Sequence, residues 1–147
     1  MNARGFEQQE GIHYDPDSLA APVANEMTIR IILTLMLMAA WYSYMIDHVG
    51  AFLHGRFDAG EEIYIRVPQG FEKFYPVGVV LQLMQTLYGT KQAAVQYWKE
   101  SLKFFSDMGY QRSKADPCMQ FKWVKDKLIV WLTWVDDLLC VPRIRRR

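Results

Sequence analysis

The order of sequence patterns in this chain predicts an α+β fold, on three observations. Two stretches repeat apolar residues at helical spacing, several others are aromatic or β-branched runs of strand type, and the order is helix, strand, helix, then antiparallel strands. At 147 residues, with 51% hydrophobic and 14% aromatic residues, the chain suits one domain with a real core and is too apolar for disorder.

The elements follow in order. Residues 1–18 are polar and read as irregular or weakly extended, with Asp17 or Ser18 placed to cap the helical region beyond and Pro22 tolerated in its first turn. Residues 28–38 are apolar nearly all round, which predicts a helix packed on both sides. Residues 41–47 form a strand, and 55–60 a turn. Ile63, Ile65 and Val67 then alternate with Tyr64 and Arg66 until Pro68 stops the run. Residues 79–84 are a further strand. From 91 to 108 the period changes: Val95, Trp98, Leu102 and Phe105 mark one face of an amphipathic helix that Gly109 ends. Met119, Phe121 and Trp123 alternate with Gln120 and Lys122, and Lys125-Asp126-Lys127 turns the chain into the strand that leads to Asp136.

Composition sets bounds on function. A net charge of +1 gives no global attraction to nucleic acid, so binding of that kind needs local patches. Cys118 and Cys140 have neither CxxC spacing nor nearby histidines, which fits reduced structural thiols in an intracellular protein. The polar N-terminus is no signal peptide. The membrane-like stretch 31–46 is shorter than the ~20 apolar residues a spanning helix needs, and Arg30 and Asp47 bracket it, so no membrane is expected as a partner.

The chemistry concentrates at Trp134-Val135-Asp136-Asp137. These residues lie between the apolar runs 128–133 and 138–141, which makes a hairpin whose turn is acidic. Burying two such carboxylates uncompensated costs on the order of several kcal/mol, and a hard divalent cation is the natural counter-charge. Asp47, at the end of another strand-like run, is the candidate third carboxylate for a two-metal site of the kind that drives in-line displacement at phosphorus. Spacing alone leaves open whether the two strands are neighbours. It also leaves the plainer readings standing: Asp-rich turns are common, and His48 and His54 suit surface or structural positions.

Many further residues fall into a known order. They include Ala3-Arg4-Gly5-Phe6, Gln8-Gln9-Glu10-Gly11, Tyr14-Asp15, Ala21-Pro22-Val23-Ala24 and Thr28-Ile29-Arg30. After Asp47 come Ala51-Phe52-Leu53-His54-Gly55, Glu61-Glu62-Ile63-Tyr64, Pro68-Gln69-Gly70-Phe71, Leu87-Tyr88-Gly89, Lys91-Gln92-Ala93, Ser113-Lys114-Ala115-Asp116-Pro117-Cys118 and Val135-Asp136-Asp137. In these landmarks the chain resembles the reverse transcriptase (RNA-directed DNA polymerase) of Ty1/copia-type retrotransposon polyproteins.

The resemblance implies a partial fingers–palm domain over residues 1–142. Its expected form is a right-hand polymerase palm-like antiparallel sheet packed with helices, without thumb or ribonuclease H. Asp47 then matches the first catalytic aspartate, and Asp136 and Asp137 the pair in the palm hairpin. By the same analogy Asp47 and Asp136 ligate two Mg²⁺ ions, with Mn²⁺ as the substitute, and Asp137 supports their charge and geometry. Phe52 takes the place of the aromatic that excludes a 2′-hydroxyl, and Gly89 and Lys91 fall near incoming nucleotide and template. The implied partners are an RNA or DNA template with its primer and deoxynucleoside triphosphates, in a cytoplasmic retroelement particle or the nucleus.

The chain also departs from the family pattern, at Val49, Gly50, Met84-Gln85 and Thr90. The basic tail 143–147 reads as a truncated or frame-shifted end. Positioning supplies much of phosphoryl-transfer catalysis, so such a fragment is expected to polymerise little or not at all alone. The alternative is a non-enzymatic palm remnant with weak nucleic-acid or metal binding, or with no function.

Overall fold

Asn25 starts the first helix: its side chain accepts a hydrogen bond from the Met27 N–H at 2.8 Å, satisfying one of the donors that a helix start leaves free. The computed structural model describes residues 2–142, so the tail 143–147 lies outside the described residues. The elements run α1 (Glu26–Ala39), β1 (Tyr44–Asp47), β2 (Tyr64–Arg66), β3 (Val80–Gln82), α2 (Ala93–Asp107), β4 (Gln111–Arg112), β5 (Met119–Val124), β6 (Lys127–Trp134) and β7 (Asp137–Pro142). The α+β class expected from the sequence is what forms. The cap does not fall at Asp17 or Ser18. Asp15 caps a single 3-10 turn at Pro16–Ser18 instead, and Pro22 lies before α1.

Two compact units divide the chain. One takes in the chain up to Ala20 and Phe52–Tyr97, and the other Ala21–Ala51 and the chain from Trp98 on. The second unit holds a five-stranded antiparallel sheet in the order β1-β7-β6-β5-β4. Alternation along its strands puts Met119 and Phe121 of β5, Leu128, Val130 and Leu132 of β6, and Leu139 and Val141 of β7 on one face. Helix α1 packs there: Ile32 is buried with Val130 and Val141, flanked by Met36, Trp41 and Phe121. Ala24, Cys118 and Leu132 form a second cluster with Ile29, Met119 and Leu139. Each fully buried Val, Leu or Ile contributes about 1.5–3 kcal/mol.

The helix is not packed on both sides, as its composition suggested. Ile31, Leu33, Leu35 and Leu37 are exposed, so one stripe alone meets the sheet. The strand after it is also shorter than expected. Ala40 takes a left-handed φ of 49° and the Trp41 N–H bonds back to the Met36 carbonyl at 3.0 Å, so Trp41 ends the helix and fills the core before β1 begins.

On the opposite face, Trp131 lies 5.6 Å from the ring of Phe105 in α2, which in turn lies 5.6 Å from Tyr110. Cys118 and Cys140 are buried and free, and burial pushes both thiols above the ordinary value. At Cys118 a hydrogen bond with Thr133 opposes that shift and the nearby Asp116 charge adds to it. The Cys118 thiol also donates to the Pro22 carbonyl at 3.3 Å, a structural role.

The first unit carries the β2–β3 ribbon, in register Tyr64↔Gln82 and Arg66↔Val80. Its N-terminal segment is tied down by the Ala3 N–H, which donates to the Tyr88 carbonyl at 2.6 Å. Among the described residues no helix is long and apolar enough to cross a membrane.

Candidate active site

Strands β6 and β7 close on the pair Trp134↔Asp137 and leave Val135 and Asp136 as the loop between them. Val135 sits at φ 56°, a left-handed conformation in which a β-branched side chain is strained by its own backbone. On its other edge β7 pairs with β1, and the register sets Asp47 directly opposite Asp137. The His48 N–H donates to the Asp136 carbonyl at 3.1 Å, which fastens the loop to the residue after Asp47. One corner of the sheet therefore brings together the backbone positions of all three aspartates, so the two strand-like segments are neighbours.

The electrostatics follow from that register. Residues directly opposite on antiparallel strands hold their Cβ atoms about 4.5–5.5 Å apart, and like charges there destabilise the pair. Asp47 and Asp137 are exposed and Asp136 is half-buried. Among the described residues, no ion pair or side-chain hydrogen bond engages any of them. Asp137 shares its face of β7 with Leu139 and Val141, which belong to the core under α1. An apolar face thus ends in an acidic one.

The donors are hard carboxylate oxygens, the kind that Mg²⁺ and Mn²⁺ take. Among the described residues, however, no three His, Cys, Asp or Glu side chains close into a metal-holding group. The register makes Asp137 the direct partner of Asp47, with Asp136 one residue away on the loop.

The other expected residues lie in the first unit. The ring of Phe52 is 5.1 Å from that of Tyr88, tilted by 58°, and 6.1 Å from that of Tyr97, nearly edge-on at 77°. Gly89 has φ +90°, and a Cβ there would run into the Ala3 carbonyl; Gly5 would meet the Gly89 carbonyl in the same way. The close approach of two backbone segments explains both glycines. Lys91 is exposed; its backbone N–H donates to the Gln8 side chain at 2.8 Å, and its ammonium lies 5.9 Å from the ring centroid of Tyr14.

Sequence reasoning missed two polar anchors. Asp116 is 1% exposed and accepts from the Asn25 N–H at 2.8 Å and the Cys118 N–H at 2.9 Å, which joins the start of α1 to the approach to β5. Gln92, also 1% exposed, accepts from Gln8 at 2.9 Å and donates to the His13 carbonyl at 2.6 Å. Both residues stand within the recognised landmarks, but nothing local in the sequence pairs them with partners so far away. A cavity of about 520 Å³ also lies in the first unit, lined by Arg4, Gln8, His13, Arg66 and Thr90 among others.

Comparison with known proteins identifies relatives along nearly the whole chain. The family described as reverse transcriptase (RNA-dependent DNA polymerase) matches residues 1–144. The chain is similar to the retrovirus-related Pol polyprotein from transposon TNT 1-94 of Nicotiana tabacum, at 37% identity over 95% of this chain and 10% of that protein. It is also similar to those from transposons RE1 and RE2 of Arabidopsis thaliana, at 30% and 28% identity, each over 93% of this chain and 9% of the polyprotein. The chain thus spans about a tenth of the length of these relatives. No solved structure is significantly similar to it.

Proposed function

The chain belongs to the reverse transcriptase (RNA-dependent DNA polymerase) family, and on that premise we propose that its three aspartates serve template-directed synthesis of DNA. The supporting observation is the strand register that sets Asp47 opposite Asp137, with Asp136 beside them on the loop. In this reading the second unit is the palm and the first supplies fingers. The partners are an RNA or DNA template, its primer and deoxynucleoside triphosphates. The primer 3′-hydroxyl gives up its proton to solvent water as its oxygen bonds to the α-phosphorus and the bond to pyrophosphate breaks. Two Mg²⁺ ions, or Mn²⁺, supply the charge that stabilises the attacking and leaving oxygens.

The chain's own residues do the rest. Asp47 and Asp136 hold the cations, and Asp137 adds a third negative charge opposite Asp47, which makes the corner favour a cation over an empty state. The strained Val135 fixes the course of the loop that carries Asp136. Phe52, braced by Tyr88 and Tyr97, is a stiff aromatic wall suited to reject a 2′-hydroxyl. Lys91 offers an exposed ammonium to phosphate, and Gly89, packed against the Ala3 carbonyl, fixes the turn that precedes it. Because the chain spans a tenth of its relatives, synthesis is assigned to a polymerase of that larger kind and cation binding to these residues themselves.

Calorimetric titration with Mg²⁺ and Mn²⁺ tests the reading on wild-type chain, Asp47→Asn and Asp136→Asn, each shown folded by circular dichroism. Binding by wild type that both substitutions abolish is the expected result. Absent binding in a folded wild type, or binding that survives both changes, would overturn it.

A further inference from the structure

One buried polar atom of the large sheet lacks a partner, and its side chain borders a cavity on the face opposite Asp47 and Asp137. Strand register sets Arg112 of β4 directly opposite Gln120 of β5, and Gln120 opposite Trp131 of β6. Residues paired in this way share one face of a sheet. Here it is the face under α2, because the Trp131 ring meets Phe105 of that helix. A cavity of about 210 Å³ lies there, lined by Leu102, Phe105 and Ser106 of α2 and by Tyr110, Arg112 and Gln120. All six residues belong to the second unit.

Gln120 is 2% exposed, and its Nε2 donates to the Pro117 carbonyl at 3.2 Å. That bond orients the amide and leaves Oε1 as an acceptor, which has no hydrogen-bond partner among the described residues. A buried acceptor left unmatched costs stability, so the cavity favours a guest that brings a donor. The helix end does not compete for that donor. The Phe104, Phe105 and Ser106 carbonyls already accept from the Met108, Tyr110 and Gly109 N–H groups.

The rim is cationic. Arg112 is exposed, and among the described residues no ion pair or side-chain hydrogen bond engages it. Lys122, on the same face, adds a second positive charge: its ammonium lies 5.6 Å from the Tyr110 ring centroid and donates to the Met108 carbonyl at 2.7 Å. Among the described residues no carboxylate lines the cavity, and Asp107 points away, about 200° round α2 from Phe105. A guanidinium fork matches a carboxylate with two parallel hydrogen bonds. The volume falls below the ~300–1,000 Å³ of sites for drug-sized ligands, so it suits a single substituted ring and is too small for a nucleotide.

We propose that this cavity binds a small aromatic carboxylate that carries a hydroxyl or amino group at its far end. The far-end O–H or N–H donates to Gln120 Oε1, the ring lies against Phe105 and Tyr110, and the carboxylate meets Arg112 at the rim. The site is separate from the aspartates and does not rest on the polymerase reading.

Ligand-observed NMR titration of the whole chain, in chelator, tests it with 4-hydroxybenzoate as probe. Benzoate lacks the donor and phenol lacks the charge. The probe is expected to bind wild type about tenfold more tightly than either analogue, which is what one matched hydrogen bond or charge-assisted pair is worth. Gln120→Met is expected to bring the probe down to the affinity of benzoate, and Arg112→Gln down to that of phenol. Ser106→Phe, which fills the cavity from an exposed position, is expected to abolish binding of all three. Asp136→Asn is expected to bind as wild type does. Circular dichroism checks that each variant is folded; should Gln120→Met unfold, the exposed positions Arg112 and Ser106 decide the matter. The proposal is overturned by a wild type that shows no saturable binding, or that binds the probe and benzoate equally. Affinity unchanged by Arg112→Gln and Ser106→Phe, or lost in Asp136→Asn, overturns it as well.

Discussion

The two turns of β6 share a backbone and differ in chemistry. Each is a loop whose second residue is aspartate, and each puts a residue other than glycine at positive φ: Lys125 at 55° and Val135 at 56°. Around Asp126 the neighbours are lysines. Around Asp136 they are Asp137 and, across the ladder, Asp47. An unbranched lysine tolerates the left-handed region better than valine, whose two γ-carbons crowd the backbone. The greater strain thus sits where the negative charge converges, as expected of a loop held for function rather than for stability.

The core beneath the two ends also differs. Leu132, near the acidic turn, is 5% exposed and belongs to the cluster with Ala24 and Cys118, whereas Leu128, near the basic turn, is half-buried. Leu132→Ala is expected to cost about 2–5 kcal/mol in urea unfolding, and Leu128→Ala clearly less. Equal costs would mean that the two turns are anchored alike and that the acidic one has no special support.

Relief of backbone strain gives a smaller effect. Asparagine tolerates positive φ, and Val135 is 42% exposed, so Val135→Asn forfeits little packing. It is expected to stabilise the fold by about 1 kcal/mol, while Lys125→Asn gains a few tenths. If Val135→Asn destabilises, the valine side chain holds the loop through contacts that outweigh its strain. The variant also sharpens the functional reading, because a relaxed loop that binds Mn²⁺ more weakly ties the strain to the site.

Much of this contrast was legible in the chain. The apolar runs on either side of Val135-Asp136 marked the hairpin, and Lys125-Asp126-Lys127 marked the turn before it. The left-handed backbone was not legible, since neither loop has the glycine or asparagine at its first position that normally announces it. The two-residue β4 was too short for any period to show. Nor could pattern alone pair β1 with β7: register between segments so distant is set by the core they share, and Ile32, Val130 and Val141 meet only in three dimensions. Asn25 and Asp116 hide for the same reason. A cap and its buried carboxylate partner look like ordinary loop residues until the chain brings them within 2.8 Å.

The smallest expected effect has the most diagnostic sign. Asp47 faces Asp137 across the ladder with like charge, so Asp47→Asn in metal-free buffer removes repulsion and is expected to stabilise by a few tenths up to about 1 kcal/mol. Asp126 sits between Lys125 and Lys127, so Asp126→Asn removes attraction and is expected to destabilise by a few tenths of a kcal/mol. Urea unfolding of both variants in chelator reads the two signs directly. Saturating Mn²⁺ should then reverse the first and leave the second, because a cation that binds only the folded state stabilises the wild-type corner and not the variant. Two changes of the same sign in chelator would mean that the carboxylates at the β1–β7 corner are solvated independently, and the case for a cation drawn in by their repulsion would fall.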